Sequence, residues 1–232
     1  MSAAEPAEAY YTENYPDYAA QNPYHKLAFY RRLVRRHVRP GARLFELGVG
    51  LGMFLKTVRT AYECAGCDIN PFGIEQTRRL TGVVRLHVGS TETLNDEPAP
   101  DVVVSWDVLE HLPDLDHALR TVHTHLADGG CLIGVVPVYD GPLGWLVTLL
   151  DKDPTHVTKQ SRRFWLRKLK ETGFEVREWG GILRRLVGSR YVHLTGPQPL
   201  LRRIGSALYF VARKPPGQGG MEIQGIEDRI SP

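Results

Sequence analysis

Leu44-Phe45-Glu46-Leu47-Gly48-Val49-Gly50-Leu51-Gly52-Met53-Phe54-Leu55 is the stretch whose reading decides the fold. An apolar run enters three alternate glycines, and apolar residues resume at once. A buried strand that bends sharply into a helix has this form. Each glycine removes a Cβ where the chain must bend tightly or a ligand must lie against the backbone. The helix beyond presents free N–H groups at its start, which suit an anionic or polar ligand group. A nucleotide-like cofactor is the expected occupant.

Outward from this turn, short apolar runs alternate with helical patterns. Before it, residues 25–38 carry Leu27, Tyr30, Leu33 and Val34 on one helical face beside Arg31, Arg32, Arg35 and Arg36, and Pro40-Gly41 ends the helix. After it come a helix over 52–60, a strand over 63–69, a helix from Pro71 to Leu80 and a strand over 83–88. A Val-rich strand over 101–105, a helix over 115–126 and a strand over 131–136 follow. Ser161 is placed to cap a helix reaching Glu171, and Phe174 to Trp179 and Ala207 to Ala212 read as two further strands. Short continuous apolar strands separated by helices predict an α/β fold: a doubly wound, mostly parallel, seven-stranded sheet covered on both faces.

The remaining segments lack a core-forming pattern. Residues 1–24 are polar but hold Tyr10, Tyr11, Tyr15, Tyr18 and Tyr24. Free tails are poor in aromatics, so an N-terminal flap, partly ordered, is expected to dock as surface packing or as a lid over a ligand site. Residues 138–160 and 181–204 read as insertions in a domain spanning 25–214, and 215–232 as a flexible tail.

Composition narrows the class. The 232 residues suffice for one well-cored domain. The formal net charge of +3 is too small to argue for nucleic acid. No apolar run approaches the roughly 18 residues needed to span a membrane. Met1 to Pro6 carries no basic and apolar leader pattern, so no secretory signal is expected. Cys64, Cys67 and Cys131 read as reduced thiols of a cytoplasmic protein. Cys64-x-x-Cys67 has no second pair and lies on an expected strand, which favours packing over zinc or redox chemistry.

The glycine spacing discriminates between cofactors. A dinucleotide fingerprint starting at Gly48 needs glycine at position 53, where Met53 stands, and no Gly-Lys-Ser/Thr follows to make a phosphate loop. Glu46-x-Gly48-x-Gly50-x-Gly52 resembles instead the turn of the class I S-adenosylmethionine-dependent methyltransferases. Four later segments resemble that family in the same order: Cys67-Asp68-Ile69, Asp101 to Asp114 with its Val-Leu-Glu-His-Leu core, Leu126 to Pro137 around Asp128-Gly129-Gly130, and Asp153-Pro154-Thr155-His156-Val157.

The resemblance implies a Rossmann-like fold with an N-terminal helical lid and S-adenosylmethionine as cofactor. It places the methionine part of the cofactor against Glu46, Gly48, Gly50 and Gly52, and the ribose hydroxyls on Asp68 beside Ile69. A carboxylate can accept both hydroxyl protons in strong charged bonds. Ser90 and Thr91 stand where family members often carry an Asp near the adenine; a neutral Ser90 makes a weaker partner. Glu46 is expected to receive the cofactor's amino group, the backbone N–H groups of the turn, or both. Trp106 lies either beside the adenine or in the core.

For the chemistry, His111 is the first candidate base, against a packing role on the following helix. His156, in the turn before Ser161, is the second. Tyr11, Tyr15 and Tyr139 are candidates to close the site around a substrate and exclude water. Asp107, Glu110 and His111 form a D-x-x-E-H group, related to clusters that hold a divalent metal in some quinone-pathway and RNA-end methyltransferases. Leu-Glu-His-Leu is equally common in metal-independent relatives, so no metal is expected.

The reading is therefore a methyltransferase acting at oxygen or nitrogen of a small organic molecule, as a monomer or homodimer. One alternative is a lipid-like or quinone-type acceptor, motivated by the apolar 143–150 stretch and by arginines that suit a membrane surface. A non-catalytic S-adenosylmethionine-binding protein is the other, since fold does not guarantee chemistry. A nucleic-acid substrate is disfavoured by the absence of an appended basic module.

Overall fold

The computed structural model describes residues 18–142, 144–150, 156–187 and 190–216. Two helices open the described chain, α1 (Tyr18–Gln21) and α2 (Tyr24–His37). Strand β1 (Arg43–Leu47), helix α3 (Met53–Val58), β2 (Glu63–Asp68) and α4 (Pro71–Thr81) follow. Next are β3 (Leu86–Val88), β4 (Val102–Trp106), α5 (Leu115–His125) and β5 (Cys131–Pro137), with short tight helices at Thr91–Asp96 and Leu109–His111. Then come α6 (Gly144–Leu150), α7 (Arg162–Glu171), β6 (Glu175–Val187), β7 (Arg190–Leu194), α8 (Gln198–Ile204) and β8 (Ala207–Arg213).

The strands form one sheet in the order β3-β2-β1-β4-β5-β8-β6-β7. The first five pair in parallel, and β8, β6 and β7 join antiparallel. The side chains explain the apolar runs. Along β1 and β4, Leu44, Val102 and Val104 pack on one face with Leu33 and Val34 of α2 and Leu55 and Val58 of α3. Their alternates Phe45, Leu47 and Val103 pack on the other face with Leu119 and Val122 of α5 and Trp165 and Leu169 of α7. Period-two alternation between two covered faces makes both sets apolar. Strand β1 lies between β2 and β4, so successive units wind outward in opposite directions from it. In open α/β sheets the crevice at the carboxyl ends of the strands beside such a switch is where ligands bind.

The seven expected strands are all present, and an eighth is added. Residues 181–204, an insertion without assigned structure in the sequence reading, continue β6 to Val187, return as β7 and end in α8. Gly180-Gly181 looks like a strand break, but its cause is close packing. A Cβ on Gly181 would lie 1.8 Å from the Leu201 carbonyl oxygen of α8. Gln198, at the start of α8, accepts the Gly181 N–H (2.9 Å) and donates to its carbonyl (3.1 Å). Without a side chain, the strand lets a helix backbone lie against it.

Local rules hold at the helix ends. Asn70 Oδ1 accepts the Phe72 N–H (2.9 Å) with Pro71 in the first turn, and Ser161 Oγ accepts the Phe164 N–H (3.1 Å). The Ser161 cap fixes the chain directly after the loop that carries His156. Replacing Ser161 with Ala is expected to lower unfolding free energy by about 1 kcal/mol, read from the denaturant midpoint; an unchanged midpoint would refute the cap.

Candidate active site

The site is built on the turn after β1. Gly48, Gly50 and Gly52 all have positive φ, at 78°, 53° and 77°. Left-handed backbone favours glycine, and sterics add to this at Gly48. A Cβ there would come within 2.3 Å of Val108 Cγ2, in the loop after β4. Backbone bonds tie the turn to the end of β2: Gly48 N–H and Val49 N–H both donate to the Cys67 carbonyl (2.8 and 3.0 Å). Asp68 completes the tie, its Oδ2 accepting Gly50 N–H (2.8 Å) and its Oδ1 accepting Asn70 N–H (2.9 Å). Burial pushes the Asp68 carboxyl above its ordinary value, and the two N–H bonds oppose that shift. Beside it Ile69 is 78% exposed, an apolar side chain uncovered at the carboxyl end of β2.

A cavity of about 50 Å³ opens between the glycine turn and the N-terminal helices, lined by Tyr18, Asn22, Lys26, Tyr30, Glu46 and Trp106 among others. Tyr18 reaches the turn itself, where its hydroxyl accepts the Leu51 N–H (3.4 Å). Glu46 is buried, and its Oε2 has no hydrogen-bond partner among the described residues. Burial pushes its carboxyl well above the ordinary 4.5, and the charge on Asp68 adds to the shift. The Trp106 ring stacks on Tyr30 (4.2 Å between centroids, 6° between planes) with Phe54 edge-on at 5.1 Å. These contacts place the ring on the α2–α3 face of the sheet. At the end of β3, Thr91 is buried and the Ser90 N–H donates to Glu92 Oε1 (2.7 Å).

A second group is drawn from the loops after β4 and β5 and from the segment between α6 and α7. Glu110, His111 and His156 bring ligand-type atoms within 4.8 Å of one another. The two imidazole rings are 4.6 Å apart, and the Tyr139 hydroxyl is 3.2 Å from His156 Nδ1. One carboxylate and two imidazoles can move a proton or hold a divalent cation. The membership differs from the D-x-x-E-H grouping in the sequence. Asp107 has φ of 59°, and its carboxylate turns to Arg184 Nη1 (2.5 and 2.6 Å) and Lys26 Nζ (3.9 Å). His156 takes its place beside Glu110 and His111.

The structure thus brings His111, His156 and Tyr139 together, and Glu46 and Trp106 together. Tyr11 and Tyr15 lie outside the described residues. Burial pushes the Cys64 and Cys67 thiols up to about 12, in keeping with packing. Lys26 and Asn22 were not marked by any motif: a single Lys on an Arg-rich helix carries no local sign of burial. Arg184, read from the sequence among the arginines that suit a membrane surface, is instead paired with Asp107.

An open α/β sheet with this turn, an acidic residue ending β2 and a ligand crevice at the switch between β1 and β4 defines the class I S-adenosylmethionine-dependent methyltransferase fold. Residues 18–178 match the family described as methyltransferase domain, and the chain belongs to that family. It is 32% identical over 99 residues to a trans-aconitate 2-methyltransferase of Methylobacterium nodulans, covering 41% of this chain and 38% of that protein. It is 32% identical over 123 residues to a ubiquinone biosynthesis O-methyltransferase of Paramagnetospirillum magneticum, covering 47% and 49%. The matches therefore span less than half the length of these curated relatives. The fold is shared with a SAM-dependent methyltransferase from Archaeoglobus fulgidus (TM-score 0.66, 17% identity, 89% of this chain and 99% of that one). Among the described residues, no helix is long and apolar enough to cross a membrane.

S-adenosylmethionine is the cofactor that family and fold imply, and the residues present fit it. Glu46 Oε2 is a buried acceptor in want of a donor, the cavity reaches the glycine turn, and Ile69 offers apolar surface next to Asp68.

Two outcomes follow from these carboxylates. Replacing Asp68 with Ala is expected to weaken S-adenosylhomocysteine binding by about 1–3 kcal/mol, the loss of charged hydrogen bonds. Unaltered affinity by calorimetry would contradict the ribose assignment. For Glu46 the folded state holds its proton to higher pH than the unfolded chain, so stability falls as pH rises above the ordinary 4.5. Glu46→Gln is therefore expected to match the parent protein at pH about 4 and to exceed it in unfolding free energy at pH about 7; an equal difference at both pH values would rule this out.

Proposed function

We propose that this protein transfers a methyl group from S-adenosylmethionine to an oxygen or nitrogen of a small organic acceptor, with the His111–His156 pair taking the acceptor's proton. The observation that carries the reading is the meeting of these two histidines with Glu110 and Tyr139, which come from the loops after β4 and β5 and, for His156, from the segment between α6 and α7. Val108, three residues before His111, packs directly against Gly48 of the cofactor turn. That contact ties the loop carrying Glu110 and His111 to the donor turn, which supports a base role for His111.

When bound, the cofactor supplies an electrophilic methyl on a sulfonium, and its departure leaves a neutral thioether. The chain's task is to hold the acceptor in line and to remove one proton. Tyr139 orients His156 through Nδ1. With Nδ1–H donating to the Tyr139 oxygen, Nε2 is the atom that accepts a proton. The Glu110 carboxylate sets negative charge beside both rings and compensates the positive charge of a protonated imidazole. The name of the Paramagnetospirillum magneticum relative, an O-methyltransferase, supports oxygen as the accepting atom.

The test is formation of S-adenosylhomocysteine with panels of alcohol, phenol and amine acceptors, each of which gives up a proton on methylation. Turnover with one class is expected. His111→Ala and His156→Ala should then lower kcat by about 10²–10⁴-fold while cofactor affinity stays the same. Cofactor binding without turnover on any panel would replace the proposal with a binding protein.

A further inference from the structure

Lys26 is the residue of the cavity that the turn and the histidine pair leave unexplained. It projects from α2 and is 7% exposed. Its ammonium donates to the Gln21 carbonyl (3.2 Å) and stands 5.0 Å from the Tyr191 ring centroid and 5.8 Å from that of Tyr30. Its nearest carboxylate, Asp107, is 3.9 Å away and is engaged at both oxygens by Arg184. Among the described residues, the charged groups gathered at the Lys26 ammonium are thus two cations, Lys26 and Arg184, and one carboxylate, Asp107. His193, packed alongside, is held neutral, its ring pushed down to about 3 by burial and then by Arg184 and Lys26.

A buried excess cation is costly unless an anion joins it. Burial accordingly brings the Lys26 ammonium down to about 8, against a smaller opposing pull from Asp107. Two further donors of the same cavity are buried without partners among the described residues, the Tyr30 hydroxyl and the Trp106 Nε1–H. Glu46 lines that cavity too, with its own unpartnered oxygen. Lys26 and Glu46 do not pair with each other. The cavity therefore holds an under-satisfied cation with two spare donors, and an under-satisfied acceptor. An α-amino-acid zwitterion is complementary to both: its carboxylate to the first set, its ammonium to the second.

We infer that Lys26, with the Tyr30 hydroxyl and Trp106 Nε1–H, binds the carboxylate of the methyl donor's methionine end, making helix α2 part of the donor site. The inference rests on the cofactor reading above. Arg184 and Tyr191, from the β6–β7 hairpin, brace this site from behind: the first holds Asp107 and the second lies under the ammonium. Lys26 is here a binding residue and not a base.

Binding measured by calorimetry on the full chain separates the possibilities. The probes are S-adenosylmethionine and its decarboxylated analogue, which lacks only the carboxylate. The parent protein is expected to prefer S-adenosylmethionine by about tenfold or more, the worth of a charged hydrogen bond. Lys26→Met should lose about that factor for S-adenosylmethionine and keep its affinity for the analogue within about threefold. Its melting temperature without ligand should be unchanged or raised, because a buried charge is removed. Equal affinity of the parent protein for both probes would overturn the inference with no variant needed. So would equal losses for both probes in the variant, the mark of a structural role. Unchanged S-adenosylmethionine affinity in Lys26→Met, with weaker binding of a tricarboxylate such as trans-aconitate, would move the site to the acceptor and overturn it as well. Failure of the parent protein to bind S-adenosylmethionine at all would instead defeat the cofactor reading. Binding without turnover leaves the inference standing and defeats only the proposed transfer.

Discussion

The carboxylate of Asp68 is the tie on which the site depends. Parallel pairing sets Leu47 against Cys67, so the chain leaves β1 level with the last residues of β2. Two N–H groups of the turn bond to the Cys67 carbonyl, a third to Asp68 Oδ2, and Asp68 Oδ1 holds the start of α4 at Asn70. A loop that would otherwise present several unsatisfied donors is thereby fixed to its neighbouring strand. The positive φ of all three glycines follows from this path, because the chain must curl back over the end of the sheet. Burying the carboxylate is unfavourable in itself, which the upward shift of Asp68 records, and its two backbone bonds offset the cost.

What could be read from the sequence and what could not divides along local and tertiary lines. The glycine turn, the acidic end of β2 and the caps at Asn70 and Ser161 depend on neighbours within a few residues, and their chemistry is written in residue type. The β6–β7 hairpin was missed because Gly180-Gly181 carries two meanings in a sequence. It marks a break, or it marks a place where another backbone must come close, and only the position of α8 selects the second. Lys26 is obscured for a similar reason. Its helix also carries Arg31, Arg32, Arg35 and Arg36, and which cation is buried depends on the packing of α2 against the sheet. His111 and His156 were each legible as candidates, but they stand 45 positions apart in the chain, and their meeting depends on how the segment before α7 folds back onto the loop after β4.

Asp107 shows how one loop serves both groups. An Asp in left-handed backbone is a strained position, costing on the order of 1 kcal/mol, and the ion pair with Arg184 works against that cost. The inverted φ sends the carboxylate toward α2 and the hairpin while the chain continues over the glycine turn. Trp106 and Asp107 then belong to the face with Lys26 and Tyr30, Val108 covers Gly48, and Glu110 and His111 emerge beside His156. Six consecutive residues thus pass from a cation-rich pocket to a carboxylate–imidazole pocket across the turn. Had Asp107 kept an ordinary β or helical φ, its carboxylate would not be directed to Arg184 by this path, and Lys26 and Arg184 would stand together without an anion between them. The grouping Asp-x-x-Glu-His is therefore not one cluster in this fold: the strained residue assigns its first member to the α2 side and its last two to the opposite side. A charge change at Asp107 would act first on the Lys26 pocket, and only through the loop backbone on the histidines.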